Sequence, residues 1–299
     1  MSNLLLIGLG KMGNAHLKTI EESTKSHLYG IVDPLFANNN NSEPRVRCYS
    51  DLSEVDLNDS NIDGAIVASS TSSHYEIVKT LLLNKIPVLV EKPVTVKIKE
   101  LHELLKISKE SSTIMRVGFI ELYNPVIDHL GKLIDENINN INISRLSPPD
   151  HMQRGLSDVL YDLAIHDISI IDKLFSLKDF QMVTKELKKK SDQVSEANIR
   201  FSIGNINFSL ETSNRADEKK RMWEVYTDNF LYILDLFELK ITKKDLVTKK
   251  IYSEQQLARK IQPLHAQLDD FTIYIKNNDN DYEHLEIVKN THCFIQNLY

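Results

Sequence analysis

The sequence predicts an α/β protein in two parts. The first is an N-terminal Rossmann-type, doubly wound parallel sheet. The second is a C-terminal α+β region built on a large, open, mainly antiparallel sheet. Three observations predict it. The apolar run "NLLLI" leads through Gly8, Gly10 and Gly13 straight into a helical pattern. Apolar strands and amphipathic helices then alternate up to "STIMRVGF", which implies parallel strands joined by right-handed crossovers. From Phe180 onward the pattern turns to closely spaced strands, with Ile199, Phe201 and Ile203 alternating with polar neighbours. The boundary falls at 120/121.

The length of 299 residues suits one large domain or two medium ones. With 41% hydrophobic and 26% charged residues, the composition is that of a soluble globular protein. A net charge of −6 argues against nucleic acid or an anionic membrane as the main partner. The run "KELKKK" at 185–190 reads as a solvated strand edge or loop. Cys48 and Cys293 lie far apart and have no zinc spacing, so neither a metal site nor a disulfide framework is expected. The N-terminus lacks the basic region of a signal peptide, and no apolar run is long enough to span a bilayer. A cytoplasmic, soluble protein is the expectation.

In "NLLLIGLGKMGNAHLKTI" each glycine has a separate task. Gly8 permits a tight turn, Gly10 lets the backbone approach a pyrophosphate, and Gly13 lets the helix pack closely on the strand. Phosphates would sit at the helix N-terminus, with Lys11 and Met12 in the same loop. The next strand, "LYGIV", ends in Asp33, twenty residues beyond Gly13, where this fold places the carboxylate that accepts from ribose hydroxyls. A carboxylate there repels a 2′-phosphate, so NAD is expected over NADP. "PLFANNNNSEPR" is a loop. "DGAIVAS", "IPVLVE" and "STIMRVGF" are further strands, with helices in "SSTSSHYEIVKTLLLNK" and "VKIKELHELLKISKE". Ligands bind such sheets beyond the carboxyl ends of the strands. Ser69, Ser70, Thr71, His74, Glu91 and Lys92 fall there and are expected cofactor contacts. Residues 1–120 are thus the expected NAD-binding domain.

Lys92 leaves a buried strand ahead of Pro93, where a cis peptide bond is accessible. Its ammonium can hydrogen-bond a substrate hydroxyl and lower the pKa of a neighbouring acid. The helix expected over 157–175 puts Leu160, Leu163, Ala164, Ile168, Ile171 and Phe175 on one stripe. Asp162, His166 and Ser169 lie on another face, and spacing of four stacks Asp162 on His166. A carboxylate beside an imidazole orients it and raises its basicity, which suits general-base removal of a hydroxyl proton. Asp158, Asp167 and Asp172 read as surface or capping residues. Later strands are "FQMVTKEL", "EANIRFSIGNINFSLETS", "MWEVYTDNFLYILDLFELKIT" and "LVTKKIYS", with turns at "IGN" and "TDN". Two closing helices follow, the first carrying His265 as a packing residue or substrate contact.

"GLGKMG", Asp33, "EKP", "VGFIELYNP" and "DLAIHDI" occur in an order that resembles the Gfo/Idh/MocA oxidoreductase family. The resemblance covers most of the chain and is strongest over 1–175. It implies that His166 is the acid/base and that Lys92 and Asp162 assist substrate orientation and proton transfer, the two stretches looking like halves of one site. Leu122 stands where the family often has arginine. Within the family, the stretches around "VGFIELYNPVI" and "SRLSPPDHMQRGLSDVLYDLAIHDISII" look most like the UDP-N-acetylglucosamine 3-dehydrogenase branch. That implies oxidation of a UDP-sugar at C3, with Arg145 and Arg154 as candidate diphosphate ligands. Residues 121–299 would bind substrate and carry catalysis. They would also mediate self-association, as homodimer or homotetramer, through the open sheet. An inositol or free-sugar dehydrogenase and a non-catalytic NAD- or sugar-sensing regulator are the alternatives.

Overall fold

The computed structural model describes residues 1–38, 46–133, 137–149, 158–258 and 261–299. The chain forms two compact units: Met1–Phe119 with Ile261–Lys289, and Ile120–Lys260 with Asn290–Tyr299.

Strands β1 (Ser2–Ile7), β2 (Ser26–Val32), β3 (Arg47–Tyr49), β4 (Gly64–Val67), β5 (Val88–Val90) and β6 (Met115–Val117) build the sheet of the first unit. It is parallel, in the order β3-β2-β1-β4-β5-β6. Its helices are α1 (Lys11–Glu22), α2 (Thr71–Leu83) and α3 (Ile98–Ser111). Leu4, Leu5 and Leu6 have no exposed surface, because a strand covered on both faces needs an unbroken apolar run.

The helix Pro263–Asn277 returns to this unit, so a single boundary at 120/121 does not describe the chain. Leu268 and Phe271 join Leu4, Leu6, Ile20, Ile66, Leu89 and Ile114 in one core. Arg116 is paired with Asp270 at 2.7 Å and with Asp281. The helical periodicity of 263–277 marks an apolar face but says nothing about which sheet that face covers.

The second unit carries α4 (Pro125–Leu133) and an eight-stranded sheet of β7 (Ile138–Leu146), β8 (Phe180–Lys190), β9 (Gln193–Ile203), β10 (Ile206–Ser213), β11 (Lys220–Thr227), β12 (Phe230–Asp235), β13 (Lys240–Asp245) and β14 (Ile251–Gln256), ordered β14-β13-β12-β11-β7-β10-β9-β8. Among the described residues, only the β7–β10 pairing of this sheet is parallel. The fold class is the one the sequence predicts. Gly204, at φ +55°, closes the hairpin between β9 (Gln193–Ile203) and β10 (Ile206–Ser213). The lysines of 185–190 lie on the outermost strand β8 (Phe180–Lys190), where their charge blunts pairing with other chains. One face of the sheet buries Ile141, Ile143, Phe201, Phe208 and Trp223. The helix α5 (Ile165–Phe175) packs in this unit with residues 165–172 all buried. A π-helical turn, Leu160–Ala164, precedes it in place of the uniform helix expected over 157–175.

Among the described residues no helix is long and apolar enough to cross a membrane, and no group of three or more His, Cys, Asp or Glu could hold a metal ion. Cys48 and Cys293 form no disulfide.

Candidate functional site

In the first unit the site begins where β1 hands over to α1. Gly10 caps α1 with no side-chain hydrogen bond, and the first turn holds no acidic residue. The N–H groups of that turn therefore have no side-chain acceptor, and the positive end of the helix dipole stands behind them. Gly8 has φ +97°, and a Cβ on it would lie 2.7 Å from the Ser69 backbone. A Cβ on Gly10 would meet nothing within 4 Å, so the loop opens there onto free space. A cleft of about 640 Å³ occupies that space, bordered by Gly8, Gly10, Lys11, Met12, Asp33, Ser69 and Ser70. Asp33 Oδ2 accepts the Leu9 N–H at 2.6 Å and Oδ1 accepts the Leu35 N–H at 2.9 Å. A carboxylate has about four acceptor sites, so the Asp33 carboxylate keeps capacity for a diol. Donors at a helix N-terminus beside such a carboxylate fit the pyrophosphate and ribose of a dinucleotide.

Gly13 makes this loop intolerant of change. A Cβ there would lie 2.0 Å from the carbonyl oxygen of Gly8, a backbone atom that cannot swing away. Gly13→Ala is expected to lose both the cooperative thermal transition and dinucleotide binding, whereas Gly10→Ala folds normally and loses affinity alone. Thermal denaturation paired with calorimetric titration separates the two.

Several sequence-predicted contacts take other roles. Thr71 is the first residue of α2 and is not among the residues bordering the cleft. His74 is 1% exposed, and its ring nitrogens face Pro93 O at 2.9 Å and Ser69 O at 3.1 Å. It braces the end of β4 against the Lys92–Pro93 turn, whose peptide bond is cis. Glu91 is buried, with Oε1 2.8 Å from His16 Nε2. A Cβ on Gly118 would lie 2.9 Å from Glu91 Oε2, so that glycine makes room for the carboxylate. His74 and Glu91 therefore support the strand ends instead of lining the cleft. Sequence reasoning missed His16, although it continues the stripe of Gly13 and Ile20 along α1. Lys92 is half-buried at the end of β5. His265, also in this unit, pairs with Glu22 at 3.1 Å.

In the second unit, Asp162 lies within the π turn and His166 on the first turn of α5. The π turn replaces the α-helical geometry expected at Asp162 with an i→i+5 turn. His166 is 8% exposed and Asp162 half-buried. The Ser169 hydroxyl is spent on the His166 carbonyl at 2.7 Å. Asp158 caps this segment, accepting the Leu160 N–H at 2.9 Å, and Asp172 accepts the Leu177 N–H at 2.7 Å beyond the other end.

Asp167 corrects the sequence reading: it is 1% exposed and holds Arg145, itself 1% exposed, through two hydrogen bonds. Arg145 also reaches Glu121 at 3.3 Å, Arg221 reaches Glu121 at 2.6 Å, and Trp223 Nε1 donates to Asp167 at 2.8 Å. Two cations thus balance two carboxylates. Burial opposes the charge on Arg145, but Asp167 and Glu121 overcome it and raise the pKa above its ordinary value. The guanidinium is committed to the core, so Arg145 is not the diphosphate ligand expected. Arg154 lies outside the described residues.

The uncapped helix, the glycine loop and the Asp33 carboxylate define a Rossmann dinucleotide-binding domain. Residues 2–119 match the model for the oxidoreductase family with the NAD-binding Rossmann fold, and the chain carries a Gfo/Idh/MocA-family domain. Several relatives are named dehydrogenases. One is a myo-inositol 2-dehydrogenase of Thermotoga maritima, 23% identical over 71% of this chain and 68% of that one. Another is a UDP-N-acetylglucosamine 3-dehydrogenase of Acidithiobacillus ferrooxidans, 25% identical over 55% of this chain and 51% of its own length. The match thus spans about half the length of that second relative. Among solved structures, the same Acidithiobacillus enzyme aligns with a TM-score of 0.82 at 18% identity, covering 99% of this chain and 96% of that one. A 3-ketoreductase from Actinomadura kijaniata in complex with TDP-benzene and NADP aligns at 0.83 and 15% identity, with the same coverage. These likenesses extend the fold assignment to nearly the whole chain.

Proposed function

We propose that this protein is an NAD(P)-dependent dehydrogenase that interconverts a secondary hydroxyl and a ketone on a sugar or polyol. The single observation that carries the reading is the glycine loop, whose uncapped helix N-terminus and Asp33 suit a dinucleotide. A bound nicotinamide supplies the hydride acceptor or donor. His166 takes the hydroxyl proton in oxidation and returns it in reduction, as general base and acid. Asp162 assists that proton transfer, and Lys92 donates a hydrogen bond to the substrate oxygen.

A UDP-N-acetyl sugar oxidised at C3 is the substrate we favour, supported by near-complete structural alignment with an enzyme of that activity. Oxidation of an inositol is the second reading. It is favoured by the burial of Arg145, which removes one of the two cations expected to hold a diphosphate. Purified protein incubated with NAD and, in parallel, UDP-N-acetylglucosamine, myo-inositol and glucose distinguishes them. Nicotinamide reduction confined to the UDP-sugar supports the first reading, and reduction confined to the polyol replaces it with the second. Reduction with none of the three, in either direction, overturns the proposal.

A further inference from the structure

The end of β3 lies beside Asp33. Val32 pairs with Tyr49, and the Asp33 N–H donates to Tyr49 O at 3.0 Å. The chain then runs through Ser50, Asp51 and Leu52, which border the same cleft as Asp33. Asp51 is exposed, and its Oδ1 accepts the Ser53 N–H at 2.9 Å and the Ser53 hydroxyl at 2.6 Å. Those two bonds hold its carboxyl below the ordinary aspartate value, so it is charged at neutral pH. Two carboxylates therefore border the cleft where β2 and β3 end. Lys11, at the start of α1, is the one lysine or arginine among the described residues bordering it.

This fold directs the carboxylate after β2 to the ribose hydroxyls, the position a 2′-phosphate occupies in the phosphorylated dinucleotide. We propose that Asp51 is a second determinant of cofactor specificity, which together with Asp33 makes this edge of the cleft repel a 2′-phosphate and so selects the unphosphorylated dinucleotide. The inference rests on the dinucleotide-binding reading above. Asp33 supplies acceptors to the diol, whereas Asp51 acts through charge.

The test is calorimetric titration of the full chain with NAD and with NADP. Wild-type protein binds NAD more tightly. Asp51→Asn keeps an acceptor oxygen for Ser53 and removes the charge. It is expected to tighten NADP binding roughly fivefold, the size of one exposed charge–charge repulsion, with little change for NAD. Asp51→Ser, which also keeps an oxygen at the cap, gives the same shift. A merely structural role would move both affinities together. Raising the ionic strength of wild-type protein narrows the preference for NAD, because screening weakens repulsion. A 2′-phosphate attracted to Lys11 would give the opposite sign. An unchanged NADP-to-NAD ratio in both variants, a preference that widens with salt, or a wild-type preference for NADP overturns the proposal while leaving dinucleotide binding intact. Failure of wild-type protein to bind either dinucleotide overturns the proposal together with the functional reading beneath it.

Discussion

Replacing His166 with alanine is expected to lower turnover by about 10²–10⁴-fold, the usual worth of a positioned acid/base. The residue sits in the second unit on the first turn of α5, 8% exposed. Among the described residues, those bordering the dinucleotide cleft all belong to the first unit. Dinucleotide affinity is therefore expected to hold within about twofold, and folding to persist. Steady-state kinetics combined with calorimetric titration measures both quantities on one preparation. The loss falls on kcat if the proton moves in the rate-limiting step. Unchanged turnover would remove His166 from its role.

The second large effect concerns stability. Asp167→Ala leaves the buried Arg145 guanidinium with Glu121, which Arg221 already shares, and takes the acceptor from Trp223 Nε1. Breaking one side of a buried pair costs about 3–5 kcal/mol, because the remaining charge stays out of water. Chemical denaturation followed by Trp223 fluorescence reads it. Arg145→Met in the Asp167→Ala background recovers much of the loss, since an uncharged pair carries no such penalty.

The same cluster sets an acid limit. Burial pushes the Glu121 carboxyl up, but Arg145 and Arg221 outweigh it and hold the group below its ordinary value. A folded pKa below the unfolded one stabilises the protein above the ordinary glutamate value of about 4.3, and that contribution is lost as pH falls through the folded value. The stability gap between wild type and Glu121→Gln is expected to narrow below about pH 4. A gap independent of pH would show that Glu121 contributes through shape alone.

What the sequence made legible was chemistry carried by local spacing. A strand, three glycines and a carboxylate at a fixed remove can be read along the chain, because each requirement is a backbone conformation or a neighbour within one βαβ unit. The Arg145–Asp167 pair could not be read that way. Its partners sit on a sheet strand and a helix 22 residues apart, and an aspartate in an amphipathic pattern looks the same whether it meets water or a guanidinium. Glu91 follows β5 and His74 lies in the first turn of α2, but their hydrogen bonds to Pro93, Ser69 and His16 are tertiary facts. The π turn at Leu160–Ala164 escaped detection because periodicity averages over a single widened turn. Helix Pro263–Asn277 was visible as a helix, whereas its return to the first unit depends on Leu268 and Phe271 finding a core that runs from Leu4 to Ile114.

Dehydrogenase chemistry fixes the stoichiometry of a single reaction, which can be measured directly. With NAD and whichever of the UDP-sugar or inositol is turned over, one reduced nicotinamide is expected for each carbonyl formed in the wild-type protein. The reverse should hold when ketone and reduced nicotinamide are supplied. A protein that binds the dinucleotide but forms neither product in either direction, or forms carbonyl without reducing nicotinamide, would contradict the dehydrogenase reading.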